Sequence, residues 1–154
     1  MAAPDGIPPI EALVPHRGPA LWIRSVLAVG EDRLECLGWI PPDHAYARSG
    51  AAPCFVGLEL AAQAAAALEA LGHRRDDRDA APRIGYIVGI REARFEVASL
   101  PAGQELRAQA RLLGGASALA VHELLLFHGE IRCLSAQVST YRAGRTPAAL
   151  KGAR

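Results

Sequence analysis

Two side chains in this sequence have the chemistry and the setting of an acid–base pair, Glu59 and His44. Glu59 lies within an alanine- and leucine-rich run, where a carboxylate is costly unless something requires it. Gln63 follows one helical turn later on the same face. His44 lies in a proline-rich loop, and loops of this kind often carry functional groups. An imidazole and a carboxylate held together can remove and deliver protons near neutral pH.

Both side chains also have a plainer interpretation. Glu59 would complement the helix dipole from a solvent-facing first turn, and His44 would be a surface histidine. His16 follows a short helix, where local hydrogen bonding explains it. The residue types alone leave these alternatives open.

Several other chemistries lack their motifs. The sequence contains no HxxxH or HExxH spacing, no GxSxG turn, no phosphate-binding loop and no GxGxxG. The three cysteines, Cys36, Cys54 and Cys133, lie far apart with no CxxC pair, so neither a disulfide framework nor a zinc site is predicted. A thiol at a helix start can be nucleophilic, but at Cys54 we expect the backbone and not the sulfur to be the useful group. We therefore expect no metal and no cofactor.

Size and charge restrict the class of protein. The 154 residues, 51% of them hydrophobic, suit a single domain over 1–154, with a loose tail from about 143. The net charge of +1 gives no broad basic field, so a nucleic-acid partner is not expected. The N-terminus lacks the pattern of a signal peptide, and each long apolar stretch is interrupted before it could span a bilayer. We expect a soluble, cytoplasmic protein without a membrane partner.

One long helix dominates the predicted organisation. Residues 55–71 (FVGLELAAQAAAALEAL) are rich in strong helix formers and contain no proline. Polar residues are too few to form a stripe, so protein must cover most of this helix. It should end at Gly72, before a charged loop that closes with a proline. Upstream, the sequence predicts a short helix at 8–14, strands at 20–29 and 33–40, and a loop at 41–53.

The second half of the chain is predicted to be strands joined mainly by tight turns, at 83–97, 104–113, 118–127 and 130–141. Successive strands of this kind should be antiparallel neighbours. Six strands and one apolar helix pack best when an antiparallel sheet curls around the helix. This is an α+β architecture, the hotdog fold. Its open edge strand would favour dimerisation.

Three stretches of the sequence together resemble one enzyme family. Residues 10–27 (IEALVPHRGPALWIRSVL) are similar to its opening segment, residues 52–63 (APCFVGLELAAQ) to its helix start, and residues 88–106 (VGIREARFEVASLPAGQEL) to a strand and turn. The family is that of the hotdog 3-hydroxyacyl-acyl carrier protein dehydratases of the FabZ and FabA type. The resemblance is closer to the subgroup associated with aryl polyene pathways.

The resemblance implies a catalytic pair, Glu59 on the helix and His44 in the loop, contributed by different subunits of a dimer. His44 matches only if one residue is inserted, and Asp43-His44-Ala45-Tyr46 replaces the family's Gly-His-Phe-Pro. His16 matches the opening PHR motif, which we interpret as structural. The amides near Cys54 and Phe55 would bind the thioester oxygen at the helix start, and Gln63 would also contact substrate.

The implied reaction converts a 3-hydroxyacyl thioester to a trans-2-enoyl thioester, with His44 as base and Glu59 as acid. The acyl group would be carried by the phosphopantetheine of an acyl carrier protein or of coenzyme A. Arg48, Arg91 and Arg94 would either face the carrier or form a solvated surface. Two alternatives remain: a hotdog thioesterase in which Glu59 activates water, and a weakly active subunit of a heterodimeric dehydratase. The sequence leaves open a homodimer or a heterodimer with another hotdog subunit.

Overall fold

The structure is a computed structural model that describes residues 4, 6–76, 83–116 and 118–142, with only the backbone described at 75 and 76. The predicted loose tail from about 143 lies outside the described residues. Within them, eight strands and one α-helix follow two short 3₁₀ turns at Ile10–Ala12 and Gly18–Ala20. The predicted helix at 8–14 is thus only a single 3₁₀ turn, because Pro15 leaves no room for a longer one.

Six of the strands form one antiparallel sheet in the order β1-β2-β6-β7-β8-β4. A separate two-stranded ladder pairs β3 with β5. The strand bounds are β1 Ile23–Val29, β2 Arg33–Gly38, β3 Ala51–Pro53, β4 Gly85–Phe95, β5 Ser99–Pro101, β6 Leu106–Ala116, β7 Leu119–His128 and β8 Ile131–Arg142.

The helix α1, Gly57–Asp76, follows a 3₁₀ turn at Cys54–Val56 and packs against the inner face of the sheet. Its small residues Ala61, Ala64, Ala65 and Ala67 are at most 1% exposed. They share one buried cluster with strand residues that alternate inward, such as Leu124 and Leu126 on β7. The predicted α+β hotdog architecture is confirmed in this respect: the curled sheet covers an apolar helix. The alanines let the two layers approach closely.

Two sequence-based expectations about the chain path are wrong. The helix does not end at Gly72 but continues to Asp76, because Gly72 keeps a helical backbone and the basic side chains that follow suit a helix C-terminus. Strand β4 does not pair with the next long strand, β6. It lies at the far edge beside β8, since the chain first crosses to pair β5 with β3.

The segment Cys54–Arg74 is long and apolar enough to cross a membrane by length and composition alone, since it contains an 18-residue window of mean hydropathy 1.5. Glu59, Gln63 and Glu69 interrupt this stretch, as expected, but they are too few to take it below this threshold. The core helix of a compact domain passes the same test, and 56% of the apolar window is buried inside the protein.

A close backbone approach joins β2 to the start of β1. A methyl group on Gly38 would lie 2.4 Å from the Trp22 carbonyl oxygen and 2.5 Å from Leu60 of α1. Only glycine permits this contact. It fixes the Trp22 backbone against the helix, where the Trp22 N–H donates to Gln63 of α1.

Candidate active site

Glu59 lies in the first turn of α1, where two donors converge on one of its carboxylate oxygens. Gln63 Nε2 donates to Glu59 Oε1 at 2.8 Å, and His16 Nε2 lies 3.3 Å from the same atom. Neither contact involves Oε2. The Glu59 side chain is 46% exposed, so its second oxygen remains accessible.

Gln63 connects this carboxylate to the N-terminal segment. Its side chain is 1% exposed, and Oε1 accepts the backbone N–H of Trp22 at 2.9 Å and of Ile23 at 3.4 Å. Its Nε2 also donates to the Ala20 carbonyl at 2.7 Å. These contacts all join Gln63 to protein, so the geometry indicates a residue that positions Glu59. Its predicted contact with substrate stays a prediction.

The environment of Glu59 favours the ionised carboxylate. The hydrogen bond from His16 lowers the pKa of Glu59 most, and partial burial opposes it. The Gln63 hydrogen bond and the charges of His16 and His44 lower this pKa further. Glu59 therefore carries no proton at neutral pH, and the hypothesis that it starts the reaction as a protonated acid does not fit this environment.

His44 lies in the loop between β2 and β3, packed among aromatic rings. Its ring meets Trp22 edge to face, with centroids 5.2 Å apart, and lies 5.7 Å from the Tyr46 ring. The Tyr46 backbone N–H donates to His44 Nδ1 at 3.2 Å. A ring whose Nδ1 accepts a hydrogen bond keeps its proton on Nε2.

His44 and Glu59 of the same chain line one cavity of about 530 Å³. The other lining residues are Pro19, Ala20, Trp22, Tyr46, Phe55 and Val56. The structure therefore brings the two predicted catalytic residues together within one chain, whereas the resemblance implied two subunits. We call this space the His44 cavity.

A second cavity, of about 320 Å³, begins on the other side of Glu59 and follows α1. We call it the helix cavity. Ala62, Ala66 and Ala70 form part of its wall, and Tyr86 and Ile87 of β4 border it. Glu59 is on the wall of both cavities, so a chain-like ligand could pass it.

The far end of the helix cavity holds a charged cluster that the sequence did not indicate. Thr140 Oγ1 donates to Glu69 Oε1 at 2.9 Å, and Arg142 Nε lies 3.2 Å from Glu69 Oε2. His122 is fully buried beside Glu69, and its burial lowers its pKa despite that carboxylate. These residues come from a helix and two strands, so no local pattern predicts their meeting.

The structure narrows the roles of the residues at the helix start. The Cys54 N–H donates to the Ala98 carbonyl at 3.1 Å, so the predicted binding of a substrate oxygen by this amide is wrong. Burial raises the pKa of the Cys54 thiol, which agrees with a packing role. Phe55 is 49% exposed at the His44 cavity, and its amide stays a candidate donor.

His16 is the site residue that sequence reasoning missed. The sequence explained it by local hydrogen bonding, yet its ring reaches the carboxylate of α1. Its place in the opening PHR motif was the only signal. Among the described residues, no group of three or more histidine, cysteine, aspartate or glutamate side chains is placed to hold a metal ion.

Comparison with known proteins places the chain in a family. The family model for ApeP-like proteins, described as ApeP dehydratase, matches residues 8–151. The chain belongs to the ApeP-like dehydratases. This match confirms the predicted family and dehydratase activity. No curated protein matches the sequence.

Solved structures show the same fold for this ApeP-like dehydratase. It is similar to a chain of the dehydratase heterocomplex ApeI:P from Xenorhabdus doucetiae, with 22% identity over 90% of this chain and 93% of that one, and TM-score 0.78. A hypothetical thioesterase with coenzyme A from Streptococcus pneumoniae is 9% identical over 78% of this chain and 85% of that one, with TM-score 0.56. A mutant thioesterase from Pseudomonas aeruginosa is 15% identical over 79% and 81%, also with TM-score 0.56.

Proposed function

We propose that this dehydratase converts 3-hydroxyacyl thioesters, carried on the phosphopantetheine of an acyl carrier protein, to trans-2-enoyl thioesters without a cofactor. The observation that carries this proposal is the ionised Glu59 carboxylate on a cavity wall shared with His44. A carboxylate and an imidazole donor flanking the Cα–Cβ bond are the groups that an elimination of water needs.

The proposed substrate lies across both cavities, with its reacting carbons beside Glu59. The thioester occupies the His44 cavity, where the Phe55 amide donates to the oxygen on which negative charge develops. The acyl chain continues into the helix cavity, where Ala62, Ala66 and Ala70 leave room for it.

Glu59 carries the proton in the proposed reaction. Its free Oε2 takes the proton from Cα, the C–H electrons form the Cα–Cβ double bond, and the Cβ–O bond breaks. The protonated Glu59 then gives this proton to the departing hydroxide, so water leaves and the carboxylate returns. Glu59 thus donates a proton as the sequence suggested, but only after it has accepted one.

His44 acts in this scheme as a hydrogen-bond donor and not as the base that the sequence suggested. Its Nδ1 is occupied by the Tyr46 N–H, and its Nε2–H is free to donate to the substrate hydroxyl. An imidazole N–H can stabilise developing negative charge in this way. Arg48, exposed in the same loop, suits the phosphate of the carrier arm. The buried free thiols of Cys36, Cys54 and Cys133 agree with a cytoplasmic setting.

Strand β4 offers an interface for a second hotdog subunit. It is an edge strand with large exposed apolar side chains, namely Tyr86, Ile87, Val88, Ile90 and Phe95, and Ile84 is exposed just before it. Exposed edges and apolar patches of this kind are usually covered. Pairing of β4 with β8 is irregular between Ile87 and Gly89 and again between Arg91 and Arg94, where Glu92 has a φ of 52°. The ApeI:P complex is a heterocomplex of dehydratases, and we propose such a partner here.

Replacing Val88 with lysine should weaken association with an ApeI-type hotdog subunit at least about tenfold, because a charge would be buried at the paired edge. Val88 is 58% exposed in the isolated chain, so the fold should remain intact. Ile131→Lys, 62% exposed at the β7–β8 turn, is the matched control. Light scattering of the mixed subunits measures the complex. If Val88→Lys associates as strongly as the native protein, the partner binds elsewhere.

The activity is tested by incubating the protein with a 3-hydroxyacyl carrier protein, alone and with an ApeI-type subunit, while following enoyl absorbance and free thiol. We expect enoyl product without thiol release. Thiol without enoyl would show a thioesterase instead. Enoyl product that appears only with the second subunit, and is unchanged when Glu59 is replaced here, would show that this chain supports a partner's active site.

A further inference from the structure

We propose that His16 is a positioning residue for Glu59, which holds one carboxylate oxygen as a hydrogen-bond donor and turns the other toward the substrate. This inference rests on the proposed proton transfer by Glu59. It assigns a role in the reaction to the histidine of the opening PHR motif, which the sequence had explained by local structure.

The backbone around His16 is fixed by its neighbour Arg17. The Arg17 guanidinium donates to the Val14 carbonyl at 2.7 Å, to the His16 carbonyl at 2.6 Å and to the Glu11 carbonyl at 2.8 Å. Val14 itself is fully buried in the core. The segment that bears His16 is therefore held in place by the Arg17 hydrogen bonds on one side and by the buried Val14 on the other. A fixed backbone suits a residue that must orient a carboxylate.

The ring of His16 has one polar contact, and it is the one to Glu59. Nε2 lies 3.3 Å from Glu59 Oε1, while the buried Nδ1 has no hydrogen-bond partner among the described residues. Since a carboxylate only accepts, Nε2 must carry the proton. The ring thus presents a donor to Glu59 and nothing to the rest of the protein, which a purely structural histidine would not do.

His16 and Gln63 together hold the Glu59 carboxylate. Both donors hold Oε1, so the carboxyl plane is fixed and Oε2 is left to accept the proton. The other groups around Glu59 are His44 across the His44 cavity and, farther along the helix cavity, Glu69, His73, Arg83 and Arg142. Because the His16 hydrogen bond is the strongest cause of the lowered Glu59 pKa, its loss lets partial burial raise this pKa.

A pair of amide variants separates positioning from structure. The amide nitrogen of His16→Gln can stand near the place of Nε2, whereas His16→Asn is too short to reach Glu59. We expect His16→Asn to lower kcat about 10- to 100-fold and to move the acid limb of the rate profile to higher pH. His16→Gln should keep most of the native kcat and most of the native pH profile. His128→Asn, at the end of β7, should change neither kcat nor the pH profile.

Titration of the Glu59 carboxyl by carbon-13 NMR tests the same contact without substrate. His16→Asn should raise the pKa of Glu59 relative to the native protein, and His16→Gln should not. Equal titration and equal pH profiles in the native protein and both variants would overturn the inference, even if the enzyme is a dehydratase. Conversely, a native protein without dehydratase activity would refute the proposed function, while the titration still decides whether His16 acts on Glu59.

Discussion

Replacing Glu59 with glutamine should lower kcat for dehydration about 10²- to 10⁴-fold, because an amide cannot accept the proton from Cα. The fold should persist, since the glutamine carbonyl can still accept hydrogen bonds from His16 and Gln63. Glu105→Gln, which changes an exposed glutamate before β6, is the matched control and should keep the native rate. Initial rates of enoyl formation and thermal unfolding of the three proteins give the comparison.

The pH dependence of the dehydration rate of the native enzyme also depends on the Glu59 carboxylate. Because the pKa of Glu59 lies below its ordinary 4.5, the active ionised form persists through neutral and mildly acidic pH. Activity falls as the pH drops through this lowered value. The ionised carboxylate also favours the folded state, a contribution present above the ordinary pKa and lost at the same acidic step. A Glu59→Gln enzyme with the native rate would remove Glu59 from the reaction.

Replacing Gln63 with leucine should lower the free energy of unfolding by about 2–4 kcal/mol, because the Trp22 and Ile23 N–H groups lose their buried acceptor. That loss is large against the roughly 5–15 kcal/mol that stabilises a typical domain. Urea unfolding measures it. Gln109→Leu is the matched control: its half-buried amide donates to Glu35 from a strand, and no buried backbone group depends on it.

The Gln63→Leu protein should also be a poorer enzyme wherever it remains folded, because Glu59 loses one of its two donors and the pKa of Glu59 rises. A Gln109→Leu protein should keep native activity and lose well under 2 kcal/mol. If Gln63→Leu is no less stable than Gln109→Leu, then Trp22 and Ile23 find other acceptors, and the anchoring role of Gln63 is wrong.

Local patterns accounted for the parts of the protein that depend on neighbouring residues. The apolar helix, the alternating strands and the i, i+4 contact between Glu59 and Gln63 all follow from periodicity. The position of β4 does not follow from periodicity. This strand lies at the sheet edge because the chain after it first pairs β5 with β3. The continuation of α1 past Gly72 did not follow from spacing either, because a glycine adopts a helical or a left-handed backbone with similar ease.

In the candidate site, too, single residues could be recognised from the sequence, but their contacts could not. Glu59 and His44 were found as single residues, from a carboxylate in an apolar run and a histidine in a loop. The charge of Glu59 depends on His16, a partner distant in sequence. The free nitrogen of His44 depends on how its own loop folds back at Tyr46. Residue type and setting were therefore enough to single out Glu59 and His44, whereas the roles proposed for them here rest on contacts that only the fold reveals.

Gln63 joins α1 to residues 40 to 43 positions earlier in the chain. Contacts of such sequence separation form only after a long loop has closed, which makes them slow and late in folding. A chain that has formed its helix and hairpins but not the Gln63 contacts would have native-like secondary structure. Its Glu59 carboxylate would not yet be held in position. Recovery of activity during refolding would therefore report this closure and not the formation of secondary structure.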